Sequence, residues 1–313
     1  MAHGAEWQTK NGIETLHLTA LEAEGPVQAF FTGRRGGASQ RWDGGLNWSY
    51  LVGDEADKVR ENRRRTLALL GLQPADAVMA GLVHGNRVVA VGPGGRAGEG
   101  VGPGHPASLA VGEAVGRAVA EVLPEAALHP APPTVELRRT GPDEVALVPD
   151  CDALITDQRR LALIVTAADC VPVFLYDPVR RCIGVAHAGW RGTVAGIAGR
   201  TVAAMAQQYG SRPQDIVAAV GPSIGPCCYE VGEQVAEPVR GFYGAKAAQL
   251  LKPHGPGKYL LDLWEANRQD LLQAGVGRIT VADSCTACLP DRLFSHRAEA
   301  GKAGRGAAVM ALA

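Results

Sequence analysis

Between residues 135 and 186 the chain falls into short runs enriched in Val, Leu and Ile, each bounded by Gly, Pro, Asp or Arg. The runs occupy residues 135–139, 145–148, 161–166, 171–176 and 182–186. Except at 135–139, where Glu136, Arg138 and Arg139 intervene, the runs are β-branched and aliphatic without polar alternation and are cut at both ends by turn formers, as strands buried on both faces require. These runs therefore predict a buried central sheet, and the rest of the chain has to cover it.

The flanking segments supply that cover. Residues 27–32 form a short apolar run that ends in Gly33-Arg34-Arg35-Gly36-Gly37, a strand-to-loop signal with two guanidinium groups beside flexible backbone. Residues 55–70 predict a helix, with Val59, Asn62, Thr66 and Leu69-Leu70 near helical spacing and Gly71 as its stop. Residues 79–91 read as a strand region interrupted at His84-Gly85-Asn86. Residues 92–104, rich in Gly and Pro, read as a mobile surface loop, followed by a small-residue helix at 108–123 and a Pro-rich connection through Pro133. After His187 the chain turns through Gly189-Trp190-Arg191-Gly192 into a predicted helix over 193–209, closed by Gly210. A strand at 216–220, a helix at 261–274 and a strand at 278–282 complete the α/β pattern.

Composition excludes several functions. With 31 basic and 32 acidic residues the net charge is -1, so there is no global attraction for nucleic acid or anionic lipid, and any anion must be bound locally. A basic region followed by a continuous apolar stretch is missing at the start, and no run of about eighteen apolar residues occurs, so a soluble, cytoplasmic protein is expected. Seven cysteines, an odd number in a long chain, fit reduced thiols better than a disulfide framework.

Three side chains stand where strands are predicted to end: His84, Cys170 in Ala168-Asp169-Cys170, and His187 at the head of the glycine turn. Taken singly, each has a bland explanation, a hydrogen-bonded histidine or a small buried thiol. Together they suit zinc, which keeps water in its fourth position when the site is catalytic. Asp169 is placed to orient one of the imidazoles. Cys285-x-x-Cys288 with the vicinal Cys227-Cys228 offers a four-thiolate zinc site or a redox pair, but a zinc ribbon wants two separated Cys-x-x-Cys hooks, which argues against that reading. The glycines of 92–104 follow no strand-to-helix turn and bring no lysine, so they are not a nucleotide phosphate loop. A zinc-deaminase signature also fails, because Gly189 stands where its glutamate base would be. On the substrate side, Arg191 is close enough to His187 to aim donors at an anion, and Arg34 or Arg35 could close over phosphate unless it is merely solvated. Asn47, between Leu46 and Trp48, is either a capping or a recognition amide, and Asn86 is equally open.

Motifs spread through most of the chain carry a resemblance. They are Gly45-Leu46-Asn47 with Val52-Gly53-Asp54, His84-Gly85-Asn86, Asp152-Ala153-Leu154-Ile155-Thr156, the Cys170 and His187 blocks, Gly221-Pro222-Ser223-Ile224-Gly225 with Cys227-Cys228-Tyr229-Glu230, Leu261-Asp262-Leu263, Cys285-Thr286 and Ser295-His296-Arg297. In these the chain resembles the YfiH or laccase-domain family, also known as multicopper polyphenol oxidase-like or peptidoglycan editing factor proteins, of zinc-dependent purine nucleoside phosphorylases. The resemblance implies a single α/β domain over 1–313, a layered α-β-β-α sandwich like the catalytic domain of cytotoxic necrotizing factors, with a family-atypical insertion at about 92–133. It implies zinc on His84, Cys170 and His187, with copper the less favoured metal. It also implies phosphorolysis of adenosine, inosine, guanosine and methylthioadenosine plus adenosine deamination, with a nucleoside and phosphate as partners and neither nucleic acid nor membrane. The oligomeric state stays open.

Four rivals accompany it: cell-wall precursor editing by hydrolysis, laccase-like polyphenol oxidation, a non-enzymatic zinc-stapled binding module, and a Cys170 nucleophile with His187 as base. Eight scattered histidines are too few for a multicopper site, and no fourth ligand offers itself for a staple. Departures from the family pattern are Leu82 and Ala167 beside the proposed site and Ala298 where a second arginine is common; they bear on substrate preference, not on the metal ligands.

Overall fold

The computed structural model describes residues 4–92, 141 and 144–313. The expectations for the loop, helix and connection within 93–133 and for the strand at 135–139 lie outside the described residues. Among the described residues the strands are β1 (Glu6–Lys10), β2 (Ile13–His17), β3 (Val27–Thr32), β4 (Ala77–Ala80), β5 (Val88–Ala90), β6 (Ala146–Val148), β7 (Ala153–Thr156), β8 (Ala162–Ala167), β9 (Val171–Asp177), β10 (Cys182–Ala188), β11 (Val217–Val220), β12 (Glu230–Gly232), β13 (Leu251–Pro253), β14 (Lys258–Leu261), β15 (Arg278–Val281) and β16 (Gly306–Leu312). The helices are α1 (Thr19–Glu22), α2 (Ala56–Ala68), α3 (Trp190–Val194), α4 (Ile197–Tyr209), α5 (Glu233–Tyr243), α6 (Ala247–Leu250) and α7 (Leu263–Gln273).

The apolar runs divide between two sheets. One has seven strands in the order β1-β2-β3-β16-β8-β4-β6, the other six in the order β15-β11-β9-β10-β7-β5, and β12-β14-β13 form a small third sheet. Strand periodicity explains how they pack. On β10, Ile183 and Val185 face the partner sheet with Phe174 and Tyr176 of β9, and meet Phe31, Val165 and Met310 of the first sheet. The alternate residues Cys182, Ala186 and Ala188, with Val173 and Leu175, face α4, α5 and α7. The outer face of the first sheet, through Phe30, Ile164 and Val309, is covered by Leu67 of α2 and by Trp48. The result is the α-β-β-α sandwich, with every residue of β9 and β10 buried.

Local chemistry sets several details. The β1–β2 hairpin turns through Asn11 and Gly12, both at positive φ (53° and 76°), the two-residue turn whose twist matches paired strands. The predicted helix over 193–209 is instead two helices, because Gly196 adopts φ 71° between α3 and α4 and breaks the backbone hydrogen-bond series. Among the described residues no helix is long and apolar enough to cross a membrane.

Three connections pass from the first sheet to the second: β4 to β5, β6 to β7, and β8 to β9. They carry His84, Asp152 and Cys170, respectively, and the return from β15 to β16 carries residues 282–305. The site is built from these crossovers and from the end of β10, which carries His187.

A buried carboxyl fixes the helix layer. Asp270 of α7, 8% exposed, accepts the Gly199 N–H at 2.9 Å in the first turn of α4, where helix N-termini favour negative charge. Burial nevertheless pushes its pKa up to about 6, with the Gly199 and Ala198 amides and Arg200 pulling the other way. The folded value lies above the ordinary 3.8, so the folded protein keeps a proton that the unfolded chain releases, and this group's contribution to stability is present below about pH 4 and lost as pH rises to about 6. Asp270→Asn is therefore expected to gain on the parent by on the order of 3 kcal/mol between pH 4 and 7, read as the difference between their urea unfolding free energies. Parallel pH profiles for parent and variant would remove this assignment.

Candidate metal centre

Asp152 is the hub on which the site is assembled. It opens the apolar strand β7 yet is fully buried, and its carboxylate accepts from the backbone of the β4–β5 crossover: His84 N at 3.0 Å on Oδ1, and Gly85 N at 2.7 Å and Val83 N at 3.4 Å on Oδ2. Convergent amides of this kind require an unusual backbone, and His84 supplies it with φ 60°. The same Oδ1 receives His187 Nδ1 at 3.0 Å, and His187 N donates to the Asp152 carbonyl at 2.7 Å. Burial alone would raise the Asp152 pKa, but hydrogen bonds from His187, Gly85 and His84 outweigh it and hold the carboxyl below its usual range. An ionised Asp152 can only accept, so a proton stays on His187 Nδ1, and Nε2 is the nitrogen that would give up its proton to a metal.

Cys170 faces the two imidazoles. The donor atoms of His84, Cys170 and His187 lie within 4.8 Å of one another, and the two rings meet edge to face with centroids 4.9 Å apart. Burial pushes the Cys170 thiol up, but His187 and then His84 more than offset this and bring it to about 6. His187 moves the opposite way, to about 9, because Cys170 and Asp152 favour its charged form more strongly than burial disfavours it. The thiol is thus already a thiolate near neutral pH, the form in which it binds a metal. Two nitrogens and one thiolate are a borderline-soft set suited to a divalent transition metal. No fourth His, Cys, Asp or Glu joins them among the described residues. Gly189 keeps the space open, since a Cβ there would stand 3.1 Å from Cys170 Sγ and 3.3 Å from His84 Cδ2.

Other residues expected at the site fall elsewhere. Asp169 does not touch an imidazole: its carboxylate accepts from Thr286 Oγ1 and from Arg297 N, each at 2.6 Å, so the orienting role passes to Asp152. Asn47 is fully buried and fully used, donating to the Ser49 carbonyl and Asp54 Oδ2 at 2.8 Å and accepting from Ser49 N at 3.1 Å and Arg305 N at 2.9 Å. Its hydrogen bonds join the 47–54 loop to the start of β16, the capping role the sequence allowed. Arg34 donates to the Pro290 carbonyl at 2.6 Å and pairs with Glu299 at 3.3 Å, which commits it to holding the 290–299 segment. Arg35 is exposed and 3.5 Å from Asp291, and Asn86 donates to the Ala195 carbonyl at 3.1 Å. Arg191 is exposed at the start of α3, stacked 4.3 Å over Trp190.

Two features were not expected. Tyr229, Arg297 and Arg305 gather beside Cys170: the Arg297 guanidinium lies 5.2 Å over the Tyr229 ring, and Arg305 is within electrostatic reach of Cys170 and Asp169. Burial, aided by the charges of Cys170 and Asp169, pushes Tyr229 up to about 12, so its hydroxyl stays a donor. Second, Cys227, Cys228, Cys285 and Cys288 converge, against the spacing argument, because the bridge between Ser223 and Cys285 sets the two cysteine turns side by side.

This arrangement belongs to a recognised class. The sequence matches the family described as multi-copper polyphenol oxidoreductase laccase over residues 28–313, and the chain belongs to that family. It is 34% identical over 280 residues to purine nucleoside phosphorylase YlmD of Geobacillus stearothermophilus, covering 88% of this chain and 87% of that protein. It is 32% identical to adenosine deaminase RL5 of an unknown prokaryotic organism, covering 94% of this chain and 97% of that one. Among solved structures, the hypothetical protein YfiH of Bacillus licheniformis superposes with a TM-score of 0.79 at 31% identity, over 98% of this chain and 99% of its own.

Proposed function

We propose that this protein is a zinc-dependent purine nucleoside phosphorylase that also deaminates adenosine. The observation that carries the reading is a donor set of three, His84, Cys170 and His187, with no fourth protein ligand among the described residues: a catalytic count rather than a structural staple. Those residues would hold the zinc, which when bound supplies a Lewis-acid positive charge beside the reacting bond. Relatives named purine nucleoside phosphorylase and adenosine deaminase, similar over most of their length, support the substrate class. The donor set contains two imidazoles, too few for a multicopper centre, which disfavours polyphenol oxidation. The same reading takes residues 1–313 as one domain with an insertion at 92–133 and places the protein in the cytoplasm.

The chain's own groups divide the remaining work. Asp152 fixes His187 and keeps the proton at Nδ1. Arg191, Arg297 and Arg305 supply the positive potential that a phosphate dianion needs in a protein with no net basic charge, and the Tyr229 hydroxyl donates to it. A phosphate oxygen forms the bond to C1′ of the ribose as the C1′–N9 bond breaks, and the electron pair leaves with the purine.

Adenosine incubated with the protein and phosphate should give adenine and ribose 1-phosphate, resolved by chromatography. Arg191→Ala should raise the phosphate KM about tenfold with smaller loss of kcat. Adenine release at the same rate without phosphate, giving free ribose, would make the protein a hydrolase. Inactivity on every purine nucleoside would return the cell-wall editing reading.

A further inference from the structure

We propose that Cys227, Cys228, Cys285 and Cys288 bind one zinc ion as a closed four-thiolate structural site, separate from the centre at Cys170. The Sγ atoms of all four lie within 4.8 Å of one another, and Cys288 Sγ is 3.5 Å from Cys227 Sγ and 3.4 Å from Cys228 Sγ. A tetrahedral ion with zinc–sulfur bonds of about 2.3 Å places its sulfurs about 3.8 Å apart, a few tenths of an ångström beyond the two Cys288 contacts and inside the 4.8 Å that bounds the whole set. A disulfide would use the thiols only in pairs, whereas here one sulfur is equally near two others.

The backbone is arranged for the same end. The first pair sits in a turn where Cys228 N and Tyr229 N both donate to the Gly225 carbonyl at 3.0 Å, so adjacent residues both reach inward. Cys285 and Cys288 are brought together by Cys288 N and Leu289 N, which donate to the Cys285 carbonyl at 3.2 and 3.1 Å. Gly225 N–H donates to Cys285 Sγ at 3.3 Å, a contact that stabilises a thiolate ligand. Cys285 is buried while Cys227 and Cys288 are exposed, which gives the ion a way in. Four thiolates leave no open position and make the set soft, which selects a structural transition-metal site.

The two turns also converge on the residue before Cys170. Ile224 N donates to the Asp169 carbonyl at 3.0 Å, and Thr286 Oγ1 holds its carboxylate at 2.6 Å. Asp169 itself is at φ 91°, a conformation that persists only when its surroundings enforce it. An ion that joins the 225–229 and 285–289 turns therefore ties together the clamps on Asp169, and through them the position of Cys170.

Metal analysis of the full chain, purified with zinc and without chelator, tests this. Cys170→Ala should retain about one zinc per chain, whereas Cys227→Ser/Cys288→Ser should lose that ion while circular dichroism shows the fold intact. Adding Cys170→Ala to the pair should leave no zinc. Cobalt in the Cys170→Ala protein should give the intense visible bands of a tetrahedral all-thiolate site. Where the double variant fails to fold, the Cys170→Ala protein decides alone: blocking its thiols with a mercurial should release the zinc stoichiometrically. A Cys170→Ala protein without zinc, or one whose mass lacks the two hydrogens of a disulfide mapped to these cysteines, overturns the proposal. Zinc retained or lost by the serine pair reports on the Cys170 centre separately, so failure of one site is not mistaken for failure of the other.

Discussion

Cys170→Ala is expected to lower kcat/KM for adenosine phosphorolysis by about 1,000-fold or more while leaving the fold intact, because it removes the thiolate from a three-ligand centre. Two imidazoles alone hold zinc weakly, so the metal of that centre should be lost with the activity. The small volume of the thiol and its place at a crossover rather than inside a sheet keep the structural cost low. The same substitution separates metal catalysis from a covalent mechanism when combined with alkylation of the parent. In metal-free protein the Cys170 thiol, held at about 6 by His187 and His84 against the upward push of burial, should react with iodoacetamide at a rate that climbs through about pH 6, far below the ordinary thiol value of 9.0. Zinc should suppress that reaction, since a coordinated thiolate is shielded. Rapid alkylation of the zinc-loaded protein with matching loss of activity would favour Cys170 as a nucleophile and His187 as its base.

What the sequence revealed of this fold depended on whether a segment's burial could be read from its own residues. The runs that became β9 and β10 are apolar without interruption, and their strands are legible to within a residue or two. β1, Glu6–Lys10, is almost wholly exposed and polar, so only its pairing with β2 through the Asn11-Gly12 turn makes it a strand. β16, Gly306–Leu312, consists of small and apolar residues that suit helix as well as strand; its insertion between β3 and β8 decides the matter. The site divides in the same way. His84, Cys170 and His187 each stand at the edge of an apolar run, and as a set they could be picked out. Asp152 could not, because its importance lies in three amides and an imidazole that meet only in space, although an acidic residue directly before the Ala153-Leu154-Ile155 run was a usable signal. Asn47 and Arg34 stayed ambiguous for the converse reason: their polar side chains are engaged by backbone far away in sequence, at Arg305 and Pro290, which no local pattern reveals.

Asp152→Asn should weaken metal binding 10–100-fold and destabilise the fold by about 2–4 kcal/mol, whereas Asp169→Asn should change metal affinity by no more than a few-fold. An asparagine offers one acceptor oxygen where the carboxylate offers two, and its NH₂ group must face either the Val83 and Gly85 amides or the His84 amide and His187. In the first arrangement donors oppose donors in a buried site, and the cost appears in stability. In the second, His187 has to accept at Nδ1, which moves its proton to Nε2 and turns a ligand into a donor aimed at Cys170. Either arrangement also removes one of the two charges that hold His187 at about 9, so its pKa should fall in the metal-free variant, an NMR-visible change that a purely structural defect would not produce. At Asp169 the substitution keeps an oxygen for Thr286 Oγ1 and leaves both imidazoles untouched. Chelator competition and urea unfolding on the two variants separate these outcomes. Parent-like metal affinity in Asp152→Asn together with a large loss in Asp169→Asn would give the orienting role back to Asp169, against the hydrogen bonds seen at His187.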